Sequence, residues 1–366
     1  MRCWTTTPST VSAPPTFTAS PYSNLDGTSG TVLTFGPGVS PCFAAGTHIH
    51  TRRGEVAVED LQVGDLALIA SGEARPIIWL GHRSVDCRHH PKPVDVHPVR
   101  VSADAVGPRC PQRDLLLSPD HSLFIDGMLI PVRYLLNGAT IVQEPADSVS
   151  YWHVELEHHD VLLAEGLPCE SYLDTGNRGA FANGGPATHA HPDFALKVWD
   201  AEACAPLVVS GPRLEAVRGK LLNRLPLLGY SLTEEPELRF LADGCQPIEQ
   251  QSFGRWQCLA LPHDTTILHI TSRQAVPSEI DPASIDCRRL GFALTRMRLD
   301  GEPLPLDDPR LLRGWHAPEP GFRWTDGSAE LDVSGASIVE LQFAPIALRY
   351  PVGRQPASQP GIMHAA

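Results

Sequence analysis

Short apolar runs separated by turn-forming residues recur along most of the chain, and between residues 42 and 178 they predict a succession of β-strands. The Asp126-Gly127 pair between two of these runs is typical of a two-residue hairpin turn. The predicted strands are His48–Thr51, Leu66–Ile69, Pro76–Leu80, Val99–Val101, Leu115–Leu117, Ser122–Ile125, Met128–Ile130, Tyr151–Leu156 and Val161–Ala164.

The second half of the chain shows the same habit at a spacing that is typical of a β-sandwich. Helical patterns are few, with one short helix predicted at Pro131–Leu136 and another around Pro212–Leu222. The predicted strands of this half are Leu238–Phe240, Ser252–Phe253, Thr266–Ile270, Phe292–Leu294, Met297–Leu299 and Ser337–Leu341.

The pattern divides the chain into five segments. A Thr-, Ser-, Pro- and Gly-rich stretch, residues 1–41, is predicted to be a flexible leader with one strand at Thr31–Phe35. A β-module follows at 42–178, and a Gly-containing linker spans 179–194. A β-sandwich with one or two short helices is predicted at 195–350, and a disordered tail at 351–366. The predicted fold class is therefore mainly β, which suits a chain with 35 prolines and 30 glycines.

Composition excludes some functions and leaves others open. A net charge of −13 argues against nonspecific binding of nucleic acid, which needs clustered Lys and Arg. No apolar run approaches the ~18 residues that span a bilayer, and the N-terminus has no continuous apolar segment of a conventional signal peptide. Secretion or surface display without such a signal, and a cytoplasmic location, both stay open. Nine cysteines without a CxxC pair favour free thiols over a disulfide framework.

Three blocks carry the candidate chemistry. The first runs from Cys42 through Gly64-Asp65, the second is Leu115–Leu123, and the third is Tyr151–Gly166. In order and spacing they resemble the Hint (Hedgehog/intein) family, including bacterial members, whose first cysteine attacks its own upstream peptide bond. The resemblance implies a Hint-like all-β module whose substrate is the protein's own N-terminal segment.

The resemblance also implies roles for individual residues. Cys42 would be the nucleophile of an N–S acyl shift at the Pro41–Cys42 bond, and His121 would donate a proton to the leaving nitrogen. Ser118 or Asp120 would orient the bond. His159 or Asp160, in the turn of the third block, would assist the thiol or orient a water molecule.

The outcome of such a reaction would be thioester cleavage or acyl transfer. Protein splicing in its usual form requires an Asn that cyclises at the end of the module, and this chain has Glu170-Ser171-Tyr172 there. The acceptor would be water, a thiol, an amine or an alcohol, and no cofactor is required. The ring of Pro41 crowds the attacked carbonyl and predicts slow acyl transfer. The alternative is a catalytically silent Hint scaffold joined to a carbohydrate-contacting β-sandwich, which acts as a secreted or surface interaction protein.

Other candidate sites are weaker. Asp65 is interpreted as a turn-former. The spacing of Cys87, His89 and His90 matches no usual zinc pattern. In the second half, Trp315 and Trp324, with Arg323, are interpreted as a candidate patch that contacts carbohydrate. The alternative is that the two tryptophans are core residues of the sandwich.

Overall fold

The computed structural model describes residues 20–23, 29–32, 41–185, 198–346 and 348–353. The contacts divide the chain into two compact units, residues 1–224 and residues 225–366. Both consist mainly of antiparallel strands joined by turns and short helices, so the predicted fold class is confirmed.

In its described residues the first unit contains fifteen strands, and thirteen of them form one continuous sheet. Its order is β11-β10-β15-β14-β4-β6-β7-β13-β3-β9-β8-β12, where β5 pairs with β4, and β1 and β2 pair only with each other. The strands are β1 Ser20–Ser23, β2 Ser29–Val32, β3 Phe43–Ala44, β4 His48–Thr51, β5 Gly54–Ala57, β6 Leu66–Leu68, β7 Ala74–Asp86, β8 Val99–Val101, β9 Leu115–Leu117, β10 Ser122–Ile125, β11 Met128–Pro131, β12 Ile141–Gln143, β13 Ser148–Leu156, β14 Val161–Ala164 and β15 Leu167–Glu170.

Helices in this unit are short and lie between strands. The longest is α1, Pro212–Arg224, and residues 198–202 are also helical. Leu214, Val217 and Leu221 of α1 are buried at helical spacing and pack into the core of the first unit. The 3₁₀ helices are Val58–Asp60, Cys87–His89, Pro93–Asp95, Val132–Leu135 and Arg178–Ala180.

The long strand β7 joins two parts of the sheet. Its first residues pair with β6, and the stretch from Ile77 to Asp86 pairs with β13. Because side chains alternate between the faces of a strand, Tyr151 and His153 of β13 point to the same side. Their partners on β7 are Arg83 and Gly81. This register determines which side chains surround the start of β3.

The second unit has two main sheets that share one apolar core, as expected for a β-sandwich. Their orders are β18-β17-β21-β25 and β19-β20-β26-β22-β23, with β24 paired to β22, while β16 pairs with β27. The elements are a 3₁₀ helix Leu225–Leu228, β16 Tyr230–Thr233, β17 Arg239–Ala242, β18 Gln246–Ile248, β19 Gln250–Phe253, β20 Trp256–Ala260, β21 Ile267–Thr271, α2 Pro277–Ile280, β22 Ala293–Leu299, β23 Glu302–Leu304, β24 Arg323–Trp324, β25 Ser328–Asp332, β26 Ile338–Phe343 and β27 Tyr350–Gly353.

The structure differs from the sequence expectations mainly at segment ends. The strand expected at Thr31–Phe35 lies at Ser29–Val32, and residues 33–40 lie outside the described part. The helix at 212–224, which falls within the predicted sandwich domain, packs with the first unit instead. Residues 179–185 of the predicted linker also pack on that unit, and strand β27 extends to Gly353, within the predicted tail. The remaining bounds of the five-segment division stay a prediction.

The eight cysteines in the described part are all free thiols. Within the same residues, none of the helices combines the length and the apolar character that a bilayer crossing requires.

Gly81 is a sensitive position in the first unit. A Cβ atom there would lie 2.4 Å from the Trp79 ring and 2.7 Å from the Phe181 ring. We expect Gly81→Ala to lower the free energy of unfolding by about 1–3 kcal/mol through overpacking. Chemical denaturation measures the change.

Gly219 provides the matched control for this substitution. A Cβ atom at this position of α1 meets no atom within 4 Å. Gly219→Ala should raise stability by about 0.5–1 kcal/mol, because alanine favours the helix. Equal effects of the two substitutions would contradict the close packing above Gly81.

Candidate active site

Cys42 lies next to a central strand of the large sheet. It directly precedes β3, a two-residue strand that lies between β13 and β9. Phe43 is opposite Trp152 on one side and Leu117 on the other. The pairing of β3 with β13 and with β9 therefore fixes the position of Cys42 directly before this strand.

Ser118 binds both backbone polar groups of Cys42. The Cys42 N–H donates to Ser118 Oγ at 2.8 Å, and the Ser118 N–H donates to the Cys42 carbonyl at 2.9 Å. Ser118 follows β9 and is completely buried. The nitrogen of the Pro41–Cys42 peptide bond thus lies in contact with the hydroxyl that the sequence analysis selected.

The Cys42 thiol lies in an enclosed cluster with one cation beside it. Its side chain is fully buried and packs with Tyr151, Tyr172 and Phe181. Burial raises the pKa of the thiol to about 11, while the guanidinium of Arg83, which donates a hydrogen bond to the sulfur, lowers it. Arg83 is placed by its pairing with Tyr151 and lies 5.7 Å from the centre of that ring.

Two fully buried histidines lie next to this cluster. The ring of His121 is 4.2 Å from that of Phe43 and 5.2 Å from that of His153, measured between centroids. In the described residues no side-chain or backbone group forms a hydrogen bond with a ring nitrogen of either histidine. Burial lowers the pKa of His121 to about 3 and that of His153 far below its ordinary value. Both imidazoles are therefore neutral at neutral pH.

Asp120 forms a buried ion pair with Arg133, with 2.7 Å between Nε and Oδ1. Burial raises the pKa of Asp120 to about 7, although the guanidinium of Arg133 opposes this shift. The backbone N–H of Arg133 also donates a hydrogen bond to the Pro119 carbonyl. These contacts hold the Ser118–His121 turn in shape, and the contacts of Asp120 indicate a supporting position in that turn.

His159 is buried in the turn of the third block, between β13 and β14, and its contacts are with other segments of the first unit. Its Nδ1 accepts a hydrogen bond from the Cys204 N–H at 3.2 Å, so the ring proton of the neutral form lies on Nε2. That nitrogen is 3.8 Å from Glu170 Oε2. Burial lowers the pKa of His159 to about 4 and raises the pKa of Glu170 to about 8.

Asp160 serves the turn that joins β13 to β14. Its backbone N–H donates to Ser171 Oγ at 2.9 Å, and its Oδ1 accepts from the Val161 N–H at 2.8 Å. The structure therefore brings Cys42 and Ser118 into direct contact, and it places the His121 ring against the ring of Phe43, the residue after Cys42. His159 is linked to this group through its proximity to His121, whose pKa it helps to lower.

The other candidates are placed in structural roles. Asp65 accepts hydrogen bonds from the Gln62 N–H and from Arg53, which confirms its interpretation as a turn-former. His89 contacts Asp86. In the part of the chain that the structure describes, no group of three or more His, Cys, Asp or Glu side chains is arranged to hold a metal ion.

In the second unit, one of the three patch residues is buried, and Trp315 and Arg323 are partly buried. Trp324 is buried, and the Trp315 indole donates to the Glu330 carbonyl at 2.9 Å. Arg323 donates to the carbonyls of His316 and Leu306. Trp324 therefore occupies a core position and Trp315 packs at the edge of the core, while a carbohydrate contact at this patch stays a prediction.

Arg83 and His153 were missed by the sequence analysis. His153 was placed within a predicted strand, and alternation with the buried Tyr151 gives it a core position where an ionisable residue is unusual. That position was a usable signal. Arg83 carried no comparable signal, because its place beside the sulfur depends on the pairing of β7 with β13.

Comparisons with known proteins concern the first unit. The solved structures that resemble the chain include the gp41-1 intein, at 13% identity and a TM-score of 0.28, with 36% of this chain and 98% of that chain covered. A bacterial intein-like domain from Clostridium thermocellum matches at 16% identity and a TM-score of 0.28, over 36% of this chain and 98% of its own. The Msm DnaB1 intein splicing domain bound with zinc matches at 19% identity and 0.27, over 35% and 98%.

A comparison with curated proteins finds no significant match. The family model described as the Hint domain matches residues 41–176, which contain all three sequence blocks and begin one residue before Cys42. The resemblance deduced from those blocks is thereby confirmed, and residues 41–176 of this chain are a Hint domain.

Proposed function

We propose that residues 41–176 form a self-processing module that carries out an N–S acyl shift at the Pro41–Cys42 bond and then releases or transfers the leader. The observation that carries the proposal is the 2.8 Å contact between Ser118 Oγ and the Cys42 nitrogen. This nitrogen is the leaving group of the reaction. A buried hydroxyl that already contacts it is in position to stabilise it as the bond breaks.

The shift is balanced within the chain. The Cys42 sulfur forms a bond to the Pro41 carbonyl carbon, the bond from that carbon to the Cys42 nitrogen breaks, and the thiol proton ends on the nitrogen. No net proton enters or leaves until the new amine is protonated. The reaction therefore needs a group that accepts the thiol proton and then donates it to the nitrogen. It does not need a group that is protonated before the reaction begins.

We assign that role to His121, because burial keeps its imidazole neutral at neutral pH and so able to accept a proton, while the same burial makes the ring a weak base. A neutral ring can accept the thiol proton on one nitrogen and donate from the other. The backbone N–H of His121 donates to the Ser118 carbonyl at 3.1 Å, so the ring is attached to the same turn that holds the Cys42 nitrogen. His153, in contact with His121, is a second candidate for carrying the proton.

Arg83 would assist the other half of the step. Attack requires sulfur with thiolate character, and a thiol with a pKa of about 11 is almost fully protonated at neutral pH. The guanidinium beside the sulfur lowers the free energy of the thiolate. It thereby offsets part of the cost that burial imposes.

A silent scaffold remains the second candidate function, and two specific features favour it. The raised pKa of Cys42 and the crowded carbonyl of Pro41 both slow the first step. Under this alternative the full-length chain would persist in the presence of strong nucleophiles. The two candidates therefore differ in an outcome that can be measured directly.

The test is intact-mass measurement of purified full-length protein with and without dithiothreitol. We expect a fragment that begins at Cys42, lost completely in Cys42→Ala, and formed at least about 100-fold more slowly in His121→Ala because proton transfer is lost. Cys169→Ala, which removes an equally buried thiol from β15, should leave cleavage unchanged. A persistent full-length mass in strong thiol would favour the scaffold.

The neutral state of His153 predicts how stability depends on pH. Because the folded protein keeps this ring unprotonated, the unfolded chain binds one more proton as pH falls below 6.5. The stabilisation is therefore present above pH 6.5 and lost on acidification. Between pH 7 and 5 the His153 share of the loss is about 2 kcal/mol, and His153→Phe should remove it.

Chemical denaturation of the wild type and the variant at both pH values measures that difference. His263→Phe is the control, since the His263 side chain is exposed in the folded protein. An identical pH dependence for the wild type and His153→Phe would contradict the neutral, desolvated state of this ring.

A further inference from the structure

Residues 172–184, which follow the last strand of the Hint domain sheet, lie across the reaction centre, and we name this segment the strap. Tyr172 and Phe181 of the strap are 2% and 4% exposed and pack with Cys42 in one cluster. The Tyr172 ring meets the His153 ring edge-on at 5.2 Å, and the Phe181 ring is parallel to it at 6.5 Å. The strap therefore contributes to the complete burial of both Cys42 and His153.

The strap is held along the edge of β7 by backbone and side-chain hydrogen bonds. The Ala182 N–H donates to the His82 carbonyl at 2.8 Å. Asn183 accepts from the His82 N–H at 3.2 Å and donates to the Leu80 carbonyl at 2.7 Å. These contacts resemble one rung of strand pairing, on the edge of β7 opposite β13.

Arg178 provides a second attachment. Both carboxylate oxygens of Glu155 accept hydrogen bonds from its guanidinium, which also lies 4.8 Å from the centre of the Trp79 ring. Asp174 of the strap pairs with the same guanidinium at 3.0 Å. Arg178 thus connects the strap to β13 and to β7, and it also pairs with another residue of the strap.

We infer that the strap selects water over larger nucleophiles as the acceptor of the acyl group. The inference rests on the proposed acyl shift, because it concerns the thioester which that shift forms. The attacked carbon would be bonded to a sulfur atom that has no exposed surface beneath Tyr172 and Phe181. A water molecule needs only a small opening to reach that carbon, whereas a peptide-sized thiol needs the strap to move away.

The selected step is a hydrolysis. The water oxygen forms a bond to the Pro41 carbonyl carbon, the bond from that carbon to the Cys42 sulfur breaks, and one water proton passes to the sulfur. The products are a leader that ends in a carboxyl group and a chain that begins with Cys42 and its free thiol.

The experiment incubates full-length protein with water alone, with hydroxylamine as a small nucleophile and with glutathione as a large one. Mass spectrometry separates the leader acid, the leader hydroxamate and the leader–glutathione thioester. For the wild type we expect acid and hydroxamate with little glutathione product. In Asn183→Ala and in Arg178→Ala the ratio of glutathione product to acid should rise about tenfold, because lost hydrogen bonds make local opening more frequent.

Arg75→Ala is the matched control. Arg75 lies on β7, the strand that the strap contacts, but its side chain pairs with Glu73 and not with the strap. This substitution should leave the product ratio unchanged. Circular dichroism shows whether each variant folds, and the exposed position of Asn183 makes its substitution the milder of the two.

The outcomes separate the two proposals. Leader release by the wild type with a product ratio that neither strap variant changes would overturn the strap inference alone. A wild type that yields mainly the glutathione product would do the same. Failure of every nucleophile, including hydroxylamine, to release the leader would overturn the acyl shift, and the strap inference with it.

Discussion

The two hydrogen bonds between Cys42 and Ser118 are the constraint on which the candidate site depends. They connect the residue directly before β3 to a turn 76 residues later in the chain. Without them, the Pro41–Cys42 bond would enter the sheet with no defined orientation toward a hydroxyl or an imidazole. The arrangement follows from the sheet, since β3 pairs with β9 and Ser118 is the residue that follows β9.

Burial acts on this site in two opposite ways. It keeps the imidazoles of His121 and His153 neutral, so that each ring can accept a proton, although as a weak base. It also raises the pKa of the Cys42 thiol, which slows attack. Arg83 is the cation that partly offsets the second effect. The rate at which the Cys42 thiol attacks the Pro41 carbonyl depends on the balance between desolvation of the thiol and the charge of Arg83.

Much of the fold follows from local sequence patterns. The strands at His48–Thr51 and Ser122–Ile125 and the Asp126-Gly127 hairpin lie where the apolar runs and turn residues predict them. Local signals of this kind fix the elements and their order along the chain. Cys42 and Ser118 were identified in another way, because the sequence blocks that contain them resemble those of the Hint family.

Other parts depend on long-range pairing, which a single sequence does not display. The place of Arg83 beside the sulfur requires the register between β7 and β13. The strap lies in a stretch whose glycines and asparagines predict a linker, yet Phe181 and Arg178 within it pack against the sheet. In both cases a partner far away in the sequence decides the structure, and local composition points elsewhere.

The most direct test of the account is a crystal structure of the full-length chain with Cys42→Ala, which cannot perform the shift and retains the leader. The account predicts that the amide nitrogen of residue 42 lies within hydrogen-bond distance of Ser118 Oγ, with the Arg83 guanidinium directed at the Cβ of residue 42. A structure in which that amide faces solvent, or in which Arg83 is directed away from residue 42, would contradict it.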